Sequence, residues 1–298
     1  MTPFSSSQNR LNAEFLTQRD QGDRSRTVIL FLHGVTRCWQ TFTTLMNSLS
    51  PRFIPVGMDF PGHGASMRLE RYLVRDHVDA LIQWLREDYG SLTGRNQLIL
   101  YGHSLGGMVA TAVAAELPGM VEAIVLEDPP FDAMGQQIKG TSWQTYFAEV
   151  RKYASLECTQ QHLYEELTDM RWEDPSSGKM IQLSSVRDEP SIRFMARCLH
   201  QLDPNTMAPI VSGDWLDGYC LERLSQKIGC PTLILQGDPT AGGTLLDRDV
   251  ELLRSSNGQT VVKQFPQAGH LLHQVRLTEV MQTVSLFLES FAVPELRK

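Results

Sequence analysis

The segment Leu98-Ile-Leu-Tyr101-Gly102-His103-Ser104-Leu105-Gly106-Gly107-Met108-Val109-Ala110 carries an apolar run through Gly-x-Ser-x-Gly into a second apolar run rich in small residues. A serine on a sharp turn from strand to helix adopts a strained backbone. Small neighbours such as Gly102 and Gly106 permit that strain, and the turn pushes the serine oxygen out above the sheet. The amide of Leu105, at the helix N-terminus, points into the same space and can stabilise an oxyanion. A serine hydroxyl is a weak nucleophile at neutral pH, so it needs a base and a group that orients the base. His270 is suitably placed for the base: it lies in Pro266-Gln-Ala-Gly269-His270, directly after the last strand-like run and before the C-terminal helical pattern. His273 follows one helical turn later, where packing or a polar contact is the expected role.

The elements that must position these residues are legible from hydrophobic periodicity. Thr27 to His33, Phe53 to Asp59, Gln97 to Tyr101, Val121 to Leu126, Thr232 to Gln236 and Thr260 to Phe265 read as strands, the first a continuous apolar run typical of a strand buried on both faces. Residues 69–88 and the stretch from Leu277 carry apolar side chains three and four apart, as amphipathic helices do. Strands alternating with helices imply a doubly wound, mainly parallel α/β sheet. Residues 1–12 are polar and Ser-rich and are expected to fray unless an edge strand captures them.

The rhythm breaks after Pro129. Residues 1–128 and 229–298 read as one core domain, and 129–228 as a helical insertion that holds Trp143, Trp172 and Trp215 together with Tyr146, Phe147, Phe194 and Met195. Such a layer packs on itself and on the sheet, and as a lid it lines an apolar pocket. Arg151, Arg171, Arg187, Arg193 and Arg197 lie in it; each is a solvated helix position or part of a basic clamp for a carboxylated substrate.

At these residues the chain resembles the α/β-hydrolase superfamily over nearly its whole length. His33-Gly34-Val35 is similar to the oxyanion turn of that superfamily, Asp59-Phe-Pro-Gly-His-Gly-Ala-Ser66 to its D-x-P-G-x-G-x-S segment, and the insertion to its cap. The resemblance implies the Val35 backbone amide as a second oxyanion donor, and scaffold roles for His33, Asp59, His63 and His103. The commonest family position for the triad acid, three residues beyond the glycine ending the next-to-last strand, holds Thr240 here. The family's other arrangement places the acid at the tip of the strand after the nucleophile helix, which is Asp128. Asp128 is therefore the preferred acid, Asp238 the alternative, and Glu127 points the other way along its strand.

The chain has 298 residues, with 27 Lys and Arg against 34 Asp and Glu, so a net charge of −7 gives no electrostatic pull toward nucleic acid or anionic lipid. The N-terminus lacks a basic-then-apolar secretory pattern and no apolar run approaches the roughly 20 residues of a spanning helix, which gives a cytoplasmic expectation. Five cysteines, at 38, 158, 198, 220 and 230, include no C-x-x-C and suggest neither a disulfide framework nor a zinc site. The resulting expectation is a serine hydrolase that cleaves an ester or lactone of a small, fairly apolar carbonyl compound through an acyl-enzyme, without metal or organic cofactor. Carbon–carbon bond hydrolysis of a diketone-like compound, amide or thioester hydrolysis, acyl transfer, and a non-turnover receptor of the same fold use the same residues. No oligomeric state follows from the sequence.

Overall fold

A computed structural model describes residues 10–16, 27–90, 97–134, 136–173 and 177–291. The strands are β1 (Asn12–Phe15), β2 (Val28–Leu32), β3 (Ile54–Asp59), β4 (Leu98–His103), β5 (Val121–Glu127), β6 (Arg171–Glu173), β7 (Met180–Gln182), β8 (Thr232–Gly237) and β9 (Thr260–Phe265). Seven of them form one sheet in the order β1-β3-β2-β4-β5-β8-β9, parallel except for β1, which runs antiparallel to β3. The sheet is the doubly wound α/β architecture that the alternation of strands and helices requires.

Every residue of β2 and β4 is buried because alternate side chains feed two separate cores. Leu30, Leu32, Leu100, Leu126 and Ile234 pack on the face that carries α2 (Val74–Trp84) and α3 (Leu105–Glu116). Ile29, Phe31, Ile99, Tyr101, Val125 and Leu235 pack on the opposite face, with Leu45 and Leu49 of α1 (Thr43–Leu49) and Val280 and Val284 from the C-terminal helix. In register, Leu32 lies opposite Gly102, Gly102 opposite Leu126, and Leu126 opposite Ile234. The C-terminal tips of β2, β4, β5 and β8 therefore align, and the residues just beyond them share one edge of the sheet.

Between β5 and β8 the chain leaves the sheet and builds α4 (Ser142–Ala154), α5 (Gln160–Asp169) and α6 (Glu189–His200), with shorter turns after them. Thr141, Thr159 and Asp188 each cap the backbone amide three residues on, which starts these helices where the sequence supplies an oxygen. The same stretch also holds β6 and β7, an antiparallel ribbon not expected from the sequence. Its strands are three residues each, too short for an alternating pattern, and only Trp172 is buried in β6.

One other boundary differs from expectation, while the near-terminal chain is captured by the sheet edge from Asn12, as the sequence allowed. The first helical pattern starts at Val74 rather than residue 69, where the Asp76 carboxylate accepts from the Leu73 amide and fixes the first turn, and it ends in a widened turn over Leu85–Tyr89. β1 is a strand within the near-terminal stretch, held because Asn12 donates to Asp59 and its amide to Ser66; residues 1–9 lie outside the described residues. No described helix is long and apolar enough to cross a membrane. All five cysteines are free thiols, with Cys38 and Cys198 in contact at 3.2 Å.

Candidate active site

Ser104 stands between β4 and α3 at φ 55° and ψ −119°, a conformation that L-residues seldom adopt. Its neighbours show how the turn accommodates this conformation. A Cβ on Gly102 would lie 2.2 Å from the Gly106 carbonyl oxygen, and one on Gly106 would lie 2.0 Å from that of Leu32. The turn thus needs backbone-to-backbone approach that any side chain blocks. The Ser104 amide donates to the Glu127 carbonyl at 2.9 Å and ties the turn to β5.

The second turn on this edge follows β2. His33 donates from Nδ1 to the Gly34 carbonyl at 2.8 Å and accepts at Nε2 from the Phe60 amide at 3.1 Å, so both ring nitrogens are used in shaping it. Asp59 accepts from the Trp39 and Ala65 amides and the Asn12 side chain, and His63 bonds the Pro61 carbonyl. These contacts are structural, as the family resemblance implied for His33, Asp59 and His63. The amides of Val35 and Leu105 find no acceptor among the described residues.

His270 and Asp128 meet across 142 residues of chain. The Nδ1 of His270 donates to Asp128 Oδ2 at 2.7 Å, which leaves Nε2 as the free, basic nitrogen. Asp128 is fully buried at the tip of β5 with φ 46°. Its Oδ1 accepts from the Gly237 and Leu245 amides at 3.0 and 3.2 Å, and its Oδ2 from the Thr244 amide at 2.8 Å and hydroxyl at 3.0 Å. Burial alone would raise the carboxyl pKa, but the hydrogen bond and charge of His270, with the Thr244 and Gly237 amides, hold it below the usual range. It is an anion designed to stay one.

Asp238 takes no part in this cluster. Its Oδ1 accepts from the Thr240 amide and hydroxyl, and its Oδ2 from the Gln267 amide, so it caps the turn before Pro239. Thr244 was not anticipated: its hydroxyl lies 3.0 Å from both Asp128 Oδ2 and His270 Nδ1. The one sequence signal for it is Gly242-Gly243, a loop able to fold back onto the strand tips.

A parallel network lies beneath. Glu127 is fully buried and accepts at Oε1 from the amide and Nδ1 of His273, each at 2.8 Å, and at Oε2 from Tyr101 at 2.5 Å, while His273 Nε2 bonds Thr41. His103 donates from Nε2 to the His270 carbonyl at 2.9 Å, and its Nδ1 is buried without a partner. Ligand atoms of His103, Glu127 and His273 lie within 4.8 Å of one another. Those of Glu127 and His273 are already spent on protein hydrogen bonds, so the donor set fits a structural network rather than an ion.

Ser104, His270 and Thr244 line one cavity of about 620 Å³, counting the solvent at its mouth, whose far wall is Met134, Trp143, Tyr146, Phe147 and Trp215. Among the described residues Ser104 makes no hydrogen bond to His270, an open geometry of the kind that tightens when substrate fills the space. Of the five arginines noted in the inserted segment, Arg187 lines this cavity. Arg151 bonds Asn205, Arg171 bonds Gln182, Arg193 pairs with Glu189 and lies over Tyr164, and Arg197 is exposed. Arg37, two residues beyond Val35, also lines it and was not singled out from the sequence.

Residues 29–283 match the model of the alpha/beta hydrolase family, and the chain belongs to that family. Among curated proteins it is 35% identical over 114 residues to a 2-(acetamidomethylene)succinate hydrolase of Mesorhizobium japonicum, a match that spans 38% of this chain and 38% of that protein's length. Among solved structures it is similar to a thermophilic esterase from Thermogutta terrifontis, with a TM-score of 0.67 at 19% identity over 95% of this chain and 94% of the other. It is also similar to the enol-lactonase from Burkholderia xenovorans, with a TM-score of 0.68 at 15% identity over 94% and 96% of the two chains. These likenesses establish the fold.

Proposed function

We propose that the protein is a serine hydrolase that cleaves the acyl bond of a small ester or lactone through an acyl-enzyme. The observation that carries this reading is the 2.7 Å contact of the buried Asp128 carboxylate with His270, on the wall of the same cavity as the strained Ser104. His270 Nε2 takes the proton as Ser104 Oγ bonds to the carbonyl carbon, whose π electrons move onto oxygen. The Val35 and Leu105 amides then have the acceptor they lack, the oxyanion. On collapse the imidazolium returns its proton to the leaving alkoxide, and Asp128 holds the ring in the required tautomer and balances its charge. Water enters by the mirror of these steps, and the acid leaves. The helical segment over the strand tips serves as the cap and supplies the apolar wall; neither metal nor organic cofactor enters any step.

The esterase and the enol-lactonase among the structural relatives support acyl-bond cleavage. The test is hydrolysis of short aryl esters and lactones by the wild-type protein and by Ser104→Ala. Turnover by the wild type and its loss by a factor of about 10³ or more in the variant, with an unchanged circular dichroism spectrum, is expected. Equal turnover by the two would remove Ser104 from the mechanism.

A further inference from the structure

The cavity wall carries two guanidinium groups and no Asp, Glu or Lys among its described residues. Arg37 is 7% exposed, and among the described residues its side chain has a single hydrogen bond, at 3.3 Å to the Thr36 carbonyl. Arg187 is partly buried, and no side-chain hydrogen bond or ion pair to it is found among the described residues. Burial, and after it the positive charge of Arg37, lowers the Arg187 pKa from its ordinary value although the neighbouring Asp188 carboxylate and Tyr146 oppose the shift, so the two guanidinium groups lie near enough to repel each other. Trp215, 1% exposed, lines the same wall, and its buried indole N–H also lacks an acceptor among the described residues.

Elsewhere in this protein arginines find carboxylates readily: Arg75 pairs with Asp79 and Glu116, Arg71 with Asp76, Arg248 with Asp132. Two guanidinium groups on the wall that also carries Ser104, with no ion pair among the described residues, are costly to bury unless an anion arrives with the ligand. An apolar wall alone would select by shape; donors without acceptors select by charge. Both guanidinium groups offer the planar fork that matches a carboxylate.

We propose that Arg37 and Arg187, with the Trp215 indole N–H, form a carboxylate subsite, and that the natural substrate is a small acyl compound carrying a free carboxylate beside the scissile bond. This rests on the serine-hydrolase reading for its chemistry but not for its binding. The groups act on substrate recognition, so they appear in kcat/KM for anionic substrates and in the affinity of anionic ligands.

The test uses a matched pair of esters, monophenyl glutarate and phenyl butyrate, and the full chain. The wild type favours the anionic ester. The ratio of the two kcat/KM values falls by roughly 10- to 100-fold in Arg187→Gln, the range for one charge-assisted hydrogen bond, and less in Arg187→Lys. Arg171→Gln, exposed and off the cavity, leaves the ratio as it is. In parallel, glutarate binding to Ser104→Ala is measured by calorimetry, which requires no turnover. Binding that is lost in Ser104→Ala/Arg187→Gln supports the subsite even if neither ester is hydrolysed, an outcome that would count against the serine mechanism alone. Hydrolysis of both esters with equal kcat/KM by the wild type, or absence of glutarate binding, overturns the subsite while leaving the hydrolase reading intact.

Discussion

Glu127 and Asp128, adjacent at the tip of β5, each hold a histidine from the loop after β9: Glu127 Oε1 lies 2.8 Å from Nδ1 of His273 and Asp128 Oδ2 lies 2.7 Å from Nδ1 of His270. Successive residues of a strand face opposite ways, so one carboxylate meets the cavity and the other the core beneath it. The pair separates chemistry from support. Asp128→Asn should lower kcat by about 10³ to 10⁴, as loss of the tautomer-fixing acid does, while Asp238→Asn should change it less than about threefold. Kinetics on one ester decides it, and the reverse ranking would give the acid's role to Asp238. Glu127→Gln should instead cost stability, by ~1–3 kcal/mol, because it weakens the acceptor that the buried His273 and Tyr101 donors share.

Thr244 divides its hydroxyl between Asp128 Oδ2 and His270 Nδ1. Thr244→Val keeps the amide bond to Asp128 Oδ2 but removes the hydroxyl contacts. A fall in kcat of about tenfold with KM little changed is expected, since the group orients the ring without touching substrate. An unchanged kcat would reduce the contact to packing.

The elbow is a steric requirement before it is a catalytic one. Gly106→Ala sets a Cβ 2.0 Å from the Leu32 carbonyl oxygen, where β2 cannot give way, whereas Gly258 has open space around its Cβ position. Thermal unfolding should show Gly106→Ala strongly destabilised or insoluble and Gly258→Ala within about 1 kcal/mol of wild type. Similar melting temperatures for the two would mean that the turn is looser than its geometry implies.

Four histidines whose pKa is lowered by burial, His33, His63, His77 and His103, give the fold an acid limit. Burial lowers His33, His63 and His77 from the ordinary 6.5 to about 3, with neighbouring histidines adding to the effect. Above pH 6.5 neither state is charged and they leave stability unchanged. Between pH 6.5 and 3 the unfolded chain takes up protons that the folded chain refuses, so stability falls as pH falls, by up to about 1.4 kcal/mol per pH unit for each histidine. Denaturant midpoints at pH 8, 6.5 and 5 measure the slope. His77→Phe, which keeps a ring beside Phe60 and Tyr72, should flatten it by about one proton's worth; the same slope in the variant would place the titration elsewhere.

The sheet was legible because its strands are buried on both faces and therefore read as unbroken apolar runs. β9, at the sheet edge, was legible from Val261, Val262 and Phe265 although its side chains are largely open. β1 and the β6–β7 ribbon were not, since strands of three or four residues with mixed polarity carry no period. Ser104 and His270 announced themselves by their turns, and Asp128 followed once Thr240 was seen where an acid is usual. Arg37 and Arg187 were not separable from other arginines, because which guanidinium lacks a carboxylate depends on neighbours distant in sequence. Thr244 belongs with them: its contacts join residues 116 and 26 positions away.

Ser104, as the proposed nucleophile, should react with a small neutral fluorophosphonate, and intact-mass spectrometry after exposure reads that reaction. One adduct is expected on the wild-type protein and none on folded Ser104→Ala. A folded wild type that takes no adduct, or an adduct that persists in Ser104→Ala, would contradict that role for Ser104.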